Sequence, residues 1–208
     1  MRLTCQRIVL GMVLALSAAA QNTEDNWLTL EAVTERLSEP NVLRGRYSQT
    51  RLIAVLSRPL ESSGQFILSE RGLYWQQEKP FISTLIADGE RLAQRVADGP
   101  LIIIDSAGQP MVLSFSRIFL SIFRGDQGEL QDHFSIQFET HYDAWEIVLT
   151  PTSYPLSEAI NKIMLRGREH IDQLSVFGRS SDEMTINFFD LRTRPEQLTE
   201  HEIELYAW

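Results

Sequence analysis

From residue 42 to residue 192 the chain is patterned with a period of two almost throughout, and turn residues interrupt that pattern at short intervals. A period of two marks β-strands, whose successive side chains point to opposite faces. In "VLRGRYSQTRLIAVL", Leu43, Gly45, Tyr47 and Gln49 alternate with Arg44, Arg46 and Ser48. Residues 62–81, "SSGQFILSERGLYWQQEKPF", read as a hairpin about Glu70-Arg71-Gly72. Phe66 and Leu68 share one face of it, with Leu73 and Trp75 on the matching face of the return strand. Its other face is mixed, carrying Gln65, Ile67, Ser69, Tyr74, Gln76 and Glu78.

More strands follow. "FISTLIA" and "ERLAQRVA" flank Asp88-Gly89, a strong short-range hairpin signal, and Asp98-Gly99 leads into "PLIIID". Later runs are "HFSIQFETHY", "AWEIVLTP", "AINKIMLRG", "HIDQLSVFG" and "EMTINFFDLR", each bounded by Gly, Pro, Asp or Ser.

Two segments break the period. Residues 26–40 place Leu30, Val33 and Leu37 at helical spacing, and Pro40 stops the run. Residues 111–126 hold no Pro or Gly before Gly125, and Val112, Phe115, Phe119, Ile122 and Phe123 form one helical stripe. Leu113, Ile118 and Leu120 make the rest of that helix nearly as apolar, so it needs apolar neighbours on two sides. About ten antiparallel strands in one chain require a closed barrel, a sandwich or a strongly curved sheet. A greasy central helix is placed to cover the concave side of such a sheet. The expectation is a mostly β fold with a helical lid: an incomplete antiparallel barrel with an N-terminal helix and a central apolar helix.

The first twenty residues stand apart. "MRLTCQR" is basic, "IVLGMVLALSAAA" is apolar but short for a bilayer span, and Ala18-Ala19-Ala20 has the small residues of a cleavage site. Residues 1–20 are expected to be a cleaved signal peptide and 21–208 a single domain. The one cysteine, Cys5, lies before the apolar run, where it could not carry a lipid anchor. Residues 21–208 then hold no disulfide and no thiolate, which suits export to a bacterial periplasm. Cleavage removes Arg2 and Arg7 and no acid, taking the net charge from −9 to −11. That charge argues against nucleic acid and against loose adhesion to an anionic bilayer.

Catalytic and metal motifs are sparse. His133, His141, His170 and His201 lack the i, i+4 partner or Glu-x-x-His companion of a metal site. No Gly-x-Ser-x-Gly elbow surrounds any serine. No metal, no cofactor and no catalysis are expected. Asp88, Asp98 and Asp105 sit in turn contexts and read as structural. Arg44, Arg46, Arg51 and Arg58 read as a solvated, edge-protecting set.

The order of several short motifs resembles the LolA family of periplasmic outer-membrane lipoprotein carriers. They are "GRYSQTR" at 45–51, "SGQFIL" at 63–68, "GLYWQQEKP" at 72–80, "LIADGERL" at 85–92, "WEIVLTP" at 145–151 and "IDQLSVFGRSSDEMTINFFDLR" at 171–192. The resemblance implies an open barrel around a hydrophobic cavity, with helices as a lid. It implies that Tyr47, Phe66, Leu68, Leu73, Trp75, Leu85 and Leu174 line the cavity and that Phe115, Phe119 and Ile122 plug it. The family carries Arg-Pro at the hairpin turn, where the arginine helps hold the lid closed. Here the turn reads "SERGL", which leaves Arg71 as the candidate latch or headgroup contact.

The function implied is a soluble, monomeric periplasmic chaperone that binds the acyl chains of a lipoprotein or lipid cargo. An inner-membrane donor and an outer-membrane acceptor are implied as partners. Two other classes stay open: an exported lipid or ester hydrolase or transferase with a scattered triad, and a non-transporting envelope sensor or assembly module on the same fold.

Overall fold

The computed structural model describes residues 28–88, 90–105 and 110–207, and the side chains of 28–88, 90–104 and 116–207. The expected signal peptide lies outside the described residues, as does the side chain of Phe115.

Helix α1 (Leu30–Ser38) starts where the Thr29 side chain accepts a hydrogen bond from the Ala32 N–H. Its buried face holds Val33 and Leu37. The strands are β1 (Val42–Leu52), β2 (Leu60–Ser69), β3 (Gly72–Lys79), β4 (Ser83–Ala87), β5 (Arg91–Val96) and β6 (Ile102–Asp105), then β7 (Phe134–His141), β8 (Ala144–Pro151), β9 (Ile160–Gly167), β10 (Ile171–Gly178) and β11 (Glu183–Arg192). Helices α2 (Pro110–Arg124) and α3 (Gln127–His133) separate β6 from β7, α4 (Leu156–Ala159) precedes β9, and α5 (Glu200–Leu205) follows β11.

All the described strands join one antiparallel sheet in the order β6-β5-β4-β3-β2-β1-β11-β10-β9-β8-β7. The sheet is not closed. Its edges are β6 and β7, so the architecture is the open barrel expected, with eleven strands rather than about ten. The expected hairpin is present in register, with Phe66 opposite Trp75 and Leu68 opposite Leu73. The Asp88 turn is also as read. The Asp88 carboxylate accepts hydrogen bonds from the N–H groups of Glu90 and Arg91 and pairs with the Arg91 guanidinium. Partial burial disfavours its ionised form, but those donors prevail and hold its pKa below the usual carboxylate value.

One core lies on the concave face. There α1 and α2 pack against β1–β3 and β7–β11 through residues such as Val33, Ile118, Ile122, Phe66, Trp145 and Leu165. Gly125 makes the junction of the two helices possible. It ends α2 at φ +61°, and a Cβ there would stand 2.2 Å from the Thr34 carbonyl oxygen of α1.

Two expectations are corrected on the convex face. Arg44 is not solvated: it is 6% exposed, and its guanidinium donates to both carboxylate oxygens of Glu202 and to the carbonyls of Pro195 and Gln197. The reason is topological. β1 lies mid-sheet between β2 and β11, and α5 covers its outer side. Arg46, Arg51 and Arg58 are exposed as read. The mixed outer face of the hairpin is likewise partly core, because Ile67 and Tyr74 join Val42, Ile86, Ala93 and Tyr206 in a second apolar cluster. The Tyr206 hydroxyl donates to the Ile67 carbonyl, tying the chain end to β2.

Candidate functional site

On the concave face, between the β3–β5 wing and α2, lies a cavity of about 330 Å³. Leu73 and Trp75 of β3, Leu85 and Ala87 of β4, and Leu92 of β5 form one wall. Met184 and Ile186 of β11, with Gln49 of β1, form the other, and Ser116 and Phe119 of α2 lie over it. The strands supply these residues through their period of two: Trp75 is opposite Leu85, Leu73 is opposite Ala87, and Ala87 is opposite Leu92.

Behind this wall is a cluster of rings. Tyr47 stacks on Trp75 with centroids 3.9 Å apart, and Phe119 meets the other side of the cluster edge-on to Trp75 at 6.1 Å. Phe123 of α2 reaches Phe119, Phe66 and Phe188 at 4.9, 6.3 and 5.2 Å. The Tyr47 hydroxyl is buried and has no hydrogen-bond partner among the described residues. Burial pushes its pKa up to about 12, against a partial opposing pull from the neighbouring Trp75 indole. A neutral phenol among rings keeps the region apolar.

The residues singled out from sequence fall into three groups. Leu73, Trp75, Leu85 and Phe119 line the cavity. Tyr47, Phe66, Ile122 and Leu174 are buried in the packed core, the first two directly behind Trp75 and Leu174 between Leu165 and Ile186. Leu68 and Arg71 border a different, more polar hollow of about 580 Å³ near α1 and the chain end. Arg71 is exposed, and its side chain makes no hydrogen bond or ion pair among the described residues. The cation that joins α2 to this hairpin turn is Arg124, which donates to the Ser69 carbonyl at 3.1 Å.

Sequence reading missed the β11 wall and the Phe188 ring. Their signal was the spacing of Met184, Ile186 and Phe188, every second residue on one strand face. It also missed that His133 has a partner four residues back, with Glu129 at 3.7 Å. No group of three or more His, Cys, Asp or Glu side chains able to hold a metal occurs among the described residues. No histidine lines the cavity.

The profile of the family described as "Outer membrane lipoprotein carrier protein LolA" matches residues 38–200. The chain belongs to the LolA family. The matched span runs from the end of α1 to the start of α5 and takes in every strand and the cavity. The comparison with curated proteins found no match. Similar solved structures include a LolA superfamily protein from Nitrosomonas europaea, at 9% identity and TM-score 0.46, covering 84% of this chain and 96% of that one. A DUF1329 family protein from Desulfovibrio piger is similar at 7% identity and TM-score 0.44, covering 82% of this chain and 92% of that one. The LolA family is periplasmic, and no helix among the described residues is long and apolar enough to cross a membrane.

Proposed function

We propose that this LolA-family chain is a non-catalytic carrier in the bacterial periplasm that holds an acyl chain of a lipoprotein or lipid in the cavity beneath α2. The observation that carries the reading is the cavity itself: an almost wholly apolar hollow on the concave face, roofed by Phe119 of a helix that the strands do not contain. Exposing a methylene to water costs about 0.8 kcal/mol, so a chain of ~15 methylenes travelling unprotected would cost on the order of 12 kcal/mol. An apolar site removes that cost in proportion to the length of chain it covers.

The size of the hollow limits how much of a chain it covers. A water-sized group takes roughly 30 Å³, and a methylene is similar, so 330 Å³ admits about ten such groups. A longer acyl chain would either project from the open side of the hollow or displace Phe119 of α2. Displacing Phe119 would spend part of the burial energy on opening, which lowers net affinity and lets cargo leave. Arg124, through the Ser69 carbonyl, is the contact that holds α2 down at the hairpin turn.

Native mass spectrometry of the protein isolated from its own cell envelope tests this reading. A bound mass matching an acylated species is expected. A stable complex with another polypeptide and no lipid would favour the assembly-module reading. Turnover of acyl esters that stops on replacing one serine would favour the hydrolase.

A further inference from the structure

Two polar side chains line the hollow beneath α2, Gln49 of β1 and Ser116 of α2. Ser116 already has a partner. The half-buried Gln49 amide makes no side-chain hydrogen bond among the described residues. Directly opposite Gln49 in the β1–β2 ladder stands Ser62, so the two side chains share the concave face. The Ser62 hydroxyl is buried and also lacks a hydrogen-bond partner among the described residues. A buried hydroxyl left unpaired is costly, and most are paired. Tyr47 carries the other such hydroxyl, but its ring is enclosed behind Trp75. Gln49 and Ser62 thus place unused hydrogen-bonding capacity side by side, next to Ile186 of an otherwise apolar wall.

That capacity is uncharged. Among the described residues, no Asp, Glu, Lys, Arg or His side chain lines the hollow. The polar residues next to the wall on the same face are again neutral. Gln77 lies two residues beyond Trp75 and opposite Ser83, and Gln94 lies opposite Leu85. Arg51 is the next residue of β1 on this face, opposite Met184 of the wall. It offers a ligand no net positive field, because acids stand at the same strand ends: Glu61 opposite Thr50, Glu183 opposite Leu52, and Asp182 accepting from the Ala54 N–H. An ionised carboxylate or phosphate entering here would lose its water without gaining a counter-ion. A carbonyl oxygen loses less and meets the donors it needs.

We infer that Gln49 and Ser62 form the polar subsite of the hollow and take the neutral ester or amide carbonyl at the head of an acyl chain, in preference to the ionised head of a free fatty acid. The lone pairs of the carbonyl oxygen accept from the Gln49 amide N–H and from the Ser62 hydroxyl. The chain then lies along Trp75, Leu85 and Leu92, the apolar wall. The inference rests on the cargo reading above and narrows its ligand class to acyl esters and amides.

The test is calorimetric titration with decanoyl probes at neutral pH: monodecanoylglycerol, an uncharged N-decanoyl peptide amide, and decanoate. Fluorescent phenylnaphthylamine, which has no carbonyl, reports the apolar wall alone. The ester or the amide is expected to bind the wild type at least about tenfold tighter than decanoate. The tighter of the two names the source of the carbonyl, a glycerolipid or an acylated polypeptide. Gln49→Leu and Ser62→Ala should each weaken that probe about fivefold. Both should keep the phenylnaphthylamine affinity and melt like the wild type, since neither side chain has a partner within the described fold. A wild type that binds none of the probes would overturn the cargo reading and this inference with it. A wild type that binds phenylnaphthylamine but holds decanoate as tightly as the ester and the amide would overturn the inference alone. So would folded variants that keep the full preference.

Discussion

The ring of Tyr47 lies against the indole of Trp75 with centroids 3.9 Å apart and planes 30° apart, and its hydroxyl is buried without a hydrogen bond among the described residues. The value of this side chain is therefore its ring. Tyr47→Phe is expected to leave stability unchanged or to raise it slightly, because it removes an unsatisfied polar atom and keeps the stack. Tyr47→Ala should cost about 3–5 kcal/mol and let Trp75 fall back from the cavity wall. Urea unfolding of both variants checks this. A Phe variant as unstable as the Ala variant would show that the hydroxyl has a partner after all.

The Arg44–Glu202 pair anchors α5 on the convex face. The Arg44 guanidinium holds the Glu202 carboxyl down at about 2, opposed by burial and helped by the N–H and hydroxyl of Thr199. A depressed folded-state pKa stabilises the fold above the unfolded value near 4.5, and the contribution fades as pH falls from there towards 2. Glu202→Gln should thus cost about 2 kcal/mol at pH 7 and much less at pH 3. Thermal unfolding at both pH values measures the gap. A gap that does not narrow in acid would mean the carboxylate charge contributes nothing.

Arg124 joins the end of α2 to the β2–β3 turn through the Ser69 carbonyl, whereas Arg71 in that turn reaches no described partner. Arg124→Ala should cost only about 0.5–1.5 kcal/mol in stability, but speed both uptake and release of a fatty-acid probe. Arg71→Ala should alter neither rate. Stopped-flow fluorescence distinguishes them. The opposite pattern would make Arg71 the latch through contacts formed only when cargo is bound.

Face assignments were legible in the sequence because a strand's period is two: Leu73, Trp75 and Leu85 point where alternation puts them. Depth was not legible. Leu174 and Leu85 face the same side of the sheet, yet one lies mid-sheet under packed neighbours and the other on the open β3–β5 wing. Alternation within a strand cannot tell them apart, since depth depends on strand order across the sheet and on where α2 lies. Arg44 failed for the same reason. Its outward direction was right, but nothing in the acidic "EHEIEL" segment announces a helix that would cover it. The central helix α2 was readable because residues 110–124 combine helical spacing with apolarity on nearly every face.

The claim that the α2-covered cavity takes an acyl chain is tested most directly by titration with a long-chain fluorescent fatty acid. The wild type is expected to bind it saturably at about one equivalent. Trp75→Glu and Leu85→Glu should fold and bind at least tenfold more weakly, because a carboxylate in that wall must either desolvate or take up a proton. Both residues are only partly buried, so the fold should tolerate the change. Folded variants that bind with wild-type affinity, or a wild type that does not bind, would contradict the account.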